Sequence, residues 1–176
     1  MKSNSLRDKL IIGFVVGLLL TSLYVWFSPA GAQAAPDVQI PVLNTQRTLD
    51  LKQLKGRPVI VTFWATDCVG CVKEIPHFIK LYKELAPKGL EIIAIAMSHD
   101  RPDHILEMQK LKGIPYPISY DATGQLSSAF GGVSLTPTTF LINPKGQIVK
   151  QKLGEIDITL LHAQIITMLN KQKKAT

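Results

Sequence analysis

The junction running from Val59 to Leu85 constrains this fold more than any other part of the chain. Val59-Ile-Val-Thr-Phe-Trp64 is rich in β-branched and aromatic side chains and is bounded upstream by Gly56 and Pro58. It reads as a strand buried on both faces. After three intervening residues comes Cys68-Val-Gly-Cys71, and beyond it Ile75, Phe78, Ile79, Tyr82 and Leu85 recur at helical spacing until Pro87 and Gly89. The cysteine pair therefore sits where a buried strand hands over to the first turn of an amphipathic helix. Unpaired backbone N–H groups and the helix dipole favour a thiolate there, which makes Cys68 the candidate nucleophile. Two intervening residues let one helical turn bring Cys71 within reach, so that it can resolve a mixed disulfide formed by Cys68. These are the chain's two cysteines. So short a loop would stabilise the fold little, and in an oxidising compartment such a pair suits a working disulfide better than a staple.

The strand signal repeats at Ile92-Ile-Ala-Ile-Ala-Met97, and Pro102 to Lys112 then reads as a helix, with Pro in its first turn and Gly113 after its end. Strand, helix, strand, helix implies parallel strands joined by right-handed crossovers. A weaker strand near Tyr116 to Tyr120 and a short helix near Thr123 to Phe130 follow. Thr138 to Ile142 and Gln147 to Gln151 are joined by Asn143-Pro-Lys-Gly146, a turn with Pro second and Gly fourth. That hairpin makes the sheet mixed. A last amphipathic helix from about Asp157 carries Ile158, Leu161, Ile165 and Met168 on one stripe, with Lys171 near its end.

From Leu10 to Phe27 the chain runs 18 residues without a charge. As a helix that is about 27 Å, close to a hydrocarbon core of about 30 Å. Lys2, Arg7 and Lys9 precede the run and no basic residue follows closely, which places the N-terminus in the cytoplasm and the rest outside. Tyr24, Trp26 and Phe27 cluster at the outer end, as an interfacial belt does. The rival reading is a cleaved signal peptide, since Ala30-Gly-Ala32 and Ala32-Gln-Ala34 both suit a small-residue cleavage site. Either reading exports the domain. The expected organisation is a basic cytoplasmic stub at residues 1–9, a transmembrane anchor or signal segment at 10–27, a linker at 28–37 and an α/β domain at 38–176. The formal charge of +7 comes mostly from the two ends: residues 37–170 hold 14 basic and 12 acidic side chains. With no basic stripe interleaved with aromatics, nucleic-acid binding is not expected.

The segment Phe63-Trp-Ala-Thr-Asp-Cys-Val-Gly-Cys-Val-Lys-Glu-Ile-Pro76 resembles the active-site segment of the TlpA and ResA type of membrane-anchored thioredoxin-like proteins. The likeness covers roughly residues 38–171, including the lead-in Leu49 to Pro58, the added strand and helix from Glu91 to Gly113, and Thr136-Pro-Thr-Thr-Phe-Leu-Ile-Asn-Pro-Lys-Gly146. It implies a thioredoxin-like fold, a central mixed sheet flanked by helices and preceded by one hydrophobic helix. It implies thiol exchange with exported cysteine-containing proteins, apocytochrome c among them, more as reductant than as oxidant, with a membrane thiol donor and no cofactor. By the same resemblance Pro137 is a cis proline facing the cysteine pair, and Thr136, Trp64 and Asp67 join it in the substrate groove. Glu74 then assists proton transfer, against the plainer reading of a solvated helix carboxylate. Thioredoxin carries a buried Asp at the position of Thr62, which cannot titrate. Pro76, which lacks a backbone N–H, is expected to kink its helix.

Two positions depart from the family. Asp67 stands where Trp is usual; its carboxylate would raise the pKa of Cys68 or cap the helix. Val69-Gly70 lacks the proline of many members' dipeptides. Two competing functions also use these thiols. A peroxiredoxin's reactive cysteine normally follows a Pro and a Thr at set spacings, and Val61 and Ala65 occupy those places. A Cu(I)-binding assembly factor would use both thiols as soft ligands. A zinc site needs four ligands, and beyond the cysteines only His77 and His99 lie near; His104, like His99, reads as a surface residue.

Overall fold

A computed structural model of the chain describes residues 4–27 and 33–173. These fall into two compact units, divided between Ala32 and Gln33. The first holds helix α1, Asn4–Phe27. Its described side chains are those of residues 9–22, and among the described residues no helix is long and apolar enough to cross a membrane. Residues 1–3 of the expected basic stub, residues 28–32 of the expected linker with the Ala30-Gly-Ala32 cleavage site, and Lys174 lie outside the described residues, as do the side chains of Tyr24, Trp26 and Phe27.

The second unit is built around a six-stranded sheet. Its strands are β1 (Gln33–Ala34), β4 (Val59–Trp64), β5 (Glu91–Ala96), β6 (Ile118–Tyr120), β7 (Thr138–Ile142) and β8 (Gln147–Leu153), arranged in the order β1-β8-β7-β4-β5-β6. β4 pairs parallel with β5 and antiparallel with β7, with Thr62 opposite Ala94 on one side and Thr139 on the other. The mixed sheet expected from the crossovers and the hairpin is the one present. β2 (Gln39–Pro41) and β3 (Thr48–Asp50) form a separate two-stranded sheet, which the sequence reading passed over as a lead-in. The compact unit also starts earlier than residue 38, because Gln33–Ala34 pairs with β8. Two residues without a hydrophobic pattern carry no strand signal.

Strand periodicity of two sends the side chains of β4 to opposite faces. Ile60 and Trp64 face the cluster made by Ile75, Phe78, Leu81 and Leu85 of α2 (Val69–Leu85) together with Leu161, Ile165 and Leu169 of α5 (Ile158–Lys173). Val59, Val61 and Phe63 face the other cluster, closed by Ile40 and Leu49 of the small sheet and by Leu126 of α4 (Gln125–Ala129) with the adjoining Phe130. Phe63 meets Phe130 and Phe140 edge-on, with centroids 5.4 and 6.0 Å apart. Helix α3, Pro102–Lys112, follows β5 and ends on Gly113 at φ +61°, a left-handed cap that glycine adopts without strain. Helix α2 continues through Pro76. Thr62 lies on the α2 face, so the strand that fills the core also points a small polar side chain toward the cysteine helix.

Candidate active site

The turn carrying the cysteines is fixed from below by Asp100. This carboxylate, 8 % exposed, accepts hydrogen bonds at 2.7 Å from Thr66 N, Thr66 Oγ1 and Arg101 N. Met97 N donates to Trp64 O at 3.0 Å, locking the end of β4 to the end of β5. Sequence reasoning missed Asp100. No motif ties it to residues 34 positions earlier, and only the parallel pairing of β4 with β5 brings them together.

Cys68 is itself the N-cap of α2, in extended conformation, and its Sγ accepts the Cys71 N–H at 3.2 Å. The pair is joined as a disulfide, with Sγ atoms 2.05 Å apart. Capping by Asp67, one of its two expected roles, does not occur: the cap position falls one residue later. Asp67 is exposed instead and lies 3.8 Å from His99 Nε2. A helix N-cap sulfur that already receives a backbone N–H becomes, on reduction, a sulfur placed to carry negative charge.

The Thr136–Pro137 bond is cis. Pro137 is buried and Thr136 half-buried, and Gly154 N donates to Pro137 O at 2.8 Å. The proline faces the cysteine turn: a Cβ on Gly70 would stand 3.6 Å from Pro137 Cδ and 3.5 Å from Glu155 Oε1. The absence of a side chain at Gly70 thus leaves open the space between the turn, the proline and the Glu155 loop. Val69, beside it, is exposed.

On the inner side of the pair, Trp64, Cys71, Glu74, Tyr116 and Pro137 border a cavity of about 10 Å³. Glu74 is not a solvated helix carboxylate. It is buried, and its Oε1 accepts the Ile156 N–H at 2.6 Å. Burial raises its pKa, aided by the Glu155 charge; the Ile156 N–H and His77 pull the other way. Thr62 Oγ1 is hydrogen-bonded to Thr139 Oγ1 at 2.9 Å, so the position that holds an acid in thioredoxin holds a neutral pair here. Glu74 is the carboxyl group that borders this cavity beside Cys71. Tyr116 also escaped the sequence reading, since an aromatic at the start of a weak strand reads as core. Among the described residues no three His, Cys, Asp or Glu side chains gather as a metal site, and this includes His77, His99 and His104.

A reactive disulfide on a helix N-cap, a cis proline facing it, and a buried carboxyl group behind it together define a thiol-disulfide exchange protein of thioredoxin-like fold. Comparison with known proteins agrees. A thiol:disulfide interchange protein of the thioredoxin family from Chlorobium tepidum superposes with a TM-score of 0.72 at 27% identity, covering 81% of this chain and 99% of that one. The thiol-disulfide oxidoreductase ResA of Bacillus subtilis is 34% identical over 128 residues, 73% of this chain and 70% of the relative. ResA of Bacillus thuringiensis strain Al Hakam is 32% identical over 162 residues, 88% and 91% of the two chains. The Redoxin family model matches residues 29–165. The chain belongs to the Redoxin family, among the ResA-like thiol-disulfide oxidoreductases.

Proposed function

We propose that the protein is exported, held at the membrane by its N-terminal segment, and reduces disulfides in other exported proteins. The observation that carries the chemistry is the N-cap placement of Cys68, half-exposed and beside cis Pro137. Cys68 thiolate attacks a partner disulfide, forming a mixed disulfide and releasing one partner thiolate. Cys71 then attacks Cys68 Sγ, closing the Cys68–Cys71 bond and releasing the second partner sulfur. Two electrons pass to the partner, and a membrane dithiol donor restores the pair. An extended partner segment lies along Thr136, a form of strand addition.

The uncharged run Leu10 to Phe27, with Lys2, Arg7 and Lys9 before it, supports export with the domain on the outer face. Cleavage near Ala32 or Ala34 would release the same domain into the periplasm. Partners are proteins with exported cysteines, apocytochrome c being the substrate that the likeness to the TlpA and ResA type suggests. The test is insulin reduction by the full chain with a dithiol donor, beside Cys68→Ser. Activity in the wild type alone is expected; equal rates in both would overturn the reading.

A further inference from the structure

The reactive turn opens on its outer side into a groove that the exchange chemistry leaves unused. Thr66 and Asp67, directly before Cys68, border it from one side, and α3 borders it from the other with His104, Glu107, Met108 and Leu111; it encloses about 390 Å³. Its chemistry is divided. Met108 packs against the core on the α2 face, and Leu111 beside it is 75 % exposed, so part of the groove is apolar and uncovered. Asp67 and Glu107 are both exposed. The Glu107 carboxylate has no ion pair or hydrogen bond among the described residues, and that of Asp67 has His99 Nε2 at 3.8 Å.

We propose that this groove receives a lysine or arginine side chain flanking the partner's cysteine, so that the protein selects disulfides set in cationic segments. The inference rests on the thiol-exchange reading and names the substrate class for that same site. Continuity with the exchange site supports the first half of it. A partner sulfur must stand at Cys68 to react, and Asp67 is the adjoining residue, so a segment seated on Cys68 sets its neighbouring side chains over the mouth of the groove. Charge complementarity supports the second half. Lysine and arginine join an apolar stem to a cationic head. The stem suits Met108 and Leu111, and the head suits the two carboxylates.

The local balance of charge favours a cation although the chain as a whole is basic, at +7. Lys73, early in α2, lies 4.0 Å from Glu155 Oε1 and is offset by it. Arg101, at the start of α3, is bound by Asp103 through hydrogen bonds of 3.1 and 2.7 Å. Lys110 and Lys112 belong to α3 but do not border the groove. At physiological salt, charges farther away than about 8 Å are largely screened, so Asp67 and Glu107 outweigh remote lysines. Asp67 also acts on the chemistry. Its charge opposes a thiolate at Cys68, and a cation brought beside it removes that opposition when Cys68 must attack. A segment with acidic flanks meets the reverse, since like charges brought together cost affinity.

The test is single-turnover reduction of synthetic peptides by the pre-reduced full chain in non-ionic detergent. Each peptide carries one internal disulfide, flanked by lysine, by glutamine or by glutamate in otherwise equal sequences, and intact mass follows its reduction. At about 0.1 M salt the lysine peptide should be reduced about five- to tenfold faster than the glutamate peptide, with the glutamine peptide between them. At about 1 M salt the ratio should fall below about twofold. Asp67→Asn and Glu107→Gln should each cut the ratio by about two- to threefold, and the double variant should bring it near unity. Taking the ratio within one variant removes any general change in activity. Glu84→Gln deletes a carboxylate of α2 that lies 16 residues beyond Cys68, about 24 Å away at helical rise, and should leave the ratio as it is. Equal rates for the two charged peptides in the wild type, a ratio that survives Glu107→Gln, or one that falls as far in Glu84→Gln overturns the inference. A wild-type chain that reduces none of the peptides overturns the thiol-exchange reading instead, so the two failures are distinguishable.

Discussion

Cys68 and Cys71 share one turn of helix but meet different surroundings. Cys68 is half-exposed, between Asp67 and a Val69 that is 70 % exposed, while Cys71 is 4 % exposed above Glu74. The difference follows from helix geometry. Cys68 is the cap, with backbone still in extended conformation, so its sulfur stays at the rim; Cys71 is in the helix and points at the sheet. A partner can therefore reach the outer sulfur, while the inner one faces the buried Glu74 carboxyl group. Neither side can take over the other's task without moving the turn.

The most direct way to break this division is to remove the inner sulfur. Cys71→Ser leaves the attack by Cys68 intact and removes its resolution, so turnover should fall to background while a mixed disulfide accumulates. Non-reducing gels and intact mass of the adduct measure it. Should stable adducts form through Cys71 in Cys68→Ser instead, the two sulfurs have exchanged roles. The next largest effect is at the anchor of the outer side. Asp100→Ala removes three short hydrogen bonds and leaves the Thr66 and Arg101 backbone N–H groups in search of partners. A loss of about 2–4 kcal/mol is expected, read as a lowered denaturant midpoint with unchanged slope. The rate of alkylation at Cys68 should change more than Cys71-dependent resolution does.

The two sides were not equally legible in the sequence. On the outer side the strand, the cysteine pair and the helix were legible, being local patterns with fixed periods, whereas the anchor Asp100 was not. Cys68, Cys71 and the helix that carries them follow from consecutive residues. Pro137 was legible only through the resemblance, since nothing in the local sequence selects a cis bond. The inner side depends on contacts distant in the chain. Ile156 N reaches Glu74 across 82 positions, and Tyr116 comes to line one cavity with Glu74 because β6, just after it, lies next to β5. The small β2–β3 sheet stayed invisible for a related reason. It covers the face of the sheet away from the cysteines, and its strands are three residues each, too short to show a period.

Glu74 offers a subtler way to sharpen the contrast, through stability rather than activity. Its folded pKa is raised, mainly by burial. Between the ordinary carboxylate value and the raised one, the folded state binds more protons than the unfolded state, so stability falls as pH rises. The contribution is fully present below the ordinary value and lost above the raised one. Glu74→Gln should flatten that part of the thermal stability profile. A wild type and a Glu74→Gln whose profiles run parallel would mean that the inner carboxyl group is not desolvated.

The smallest expected effect is at Asp67, and it tests whether the two sides are independent. A carboxylate next to Cys68 opposes a thiolate there, but Asp67 is exposed, and charges in water are screened over about 8 Å at physiological salt. Asp67→Asn should therefore speed alkylation of reduced Cys68 by neutral iodoacetamide less than about threefold. Anionic iodoacetate should gain more, because the removed charge also repels the reagent, and added salt should erase the difference. The part of the thermal stability profile that Glu74 sets should not move. If it does, charge at the rim is felt at the buried carboxyl group, and the separation of an attacking side from a buried inner side fails at that point.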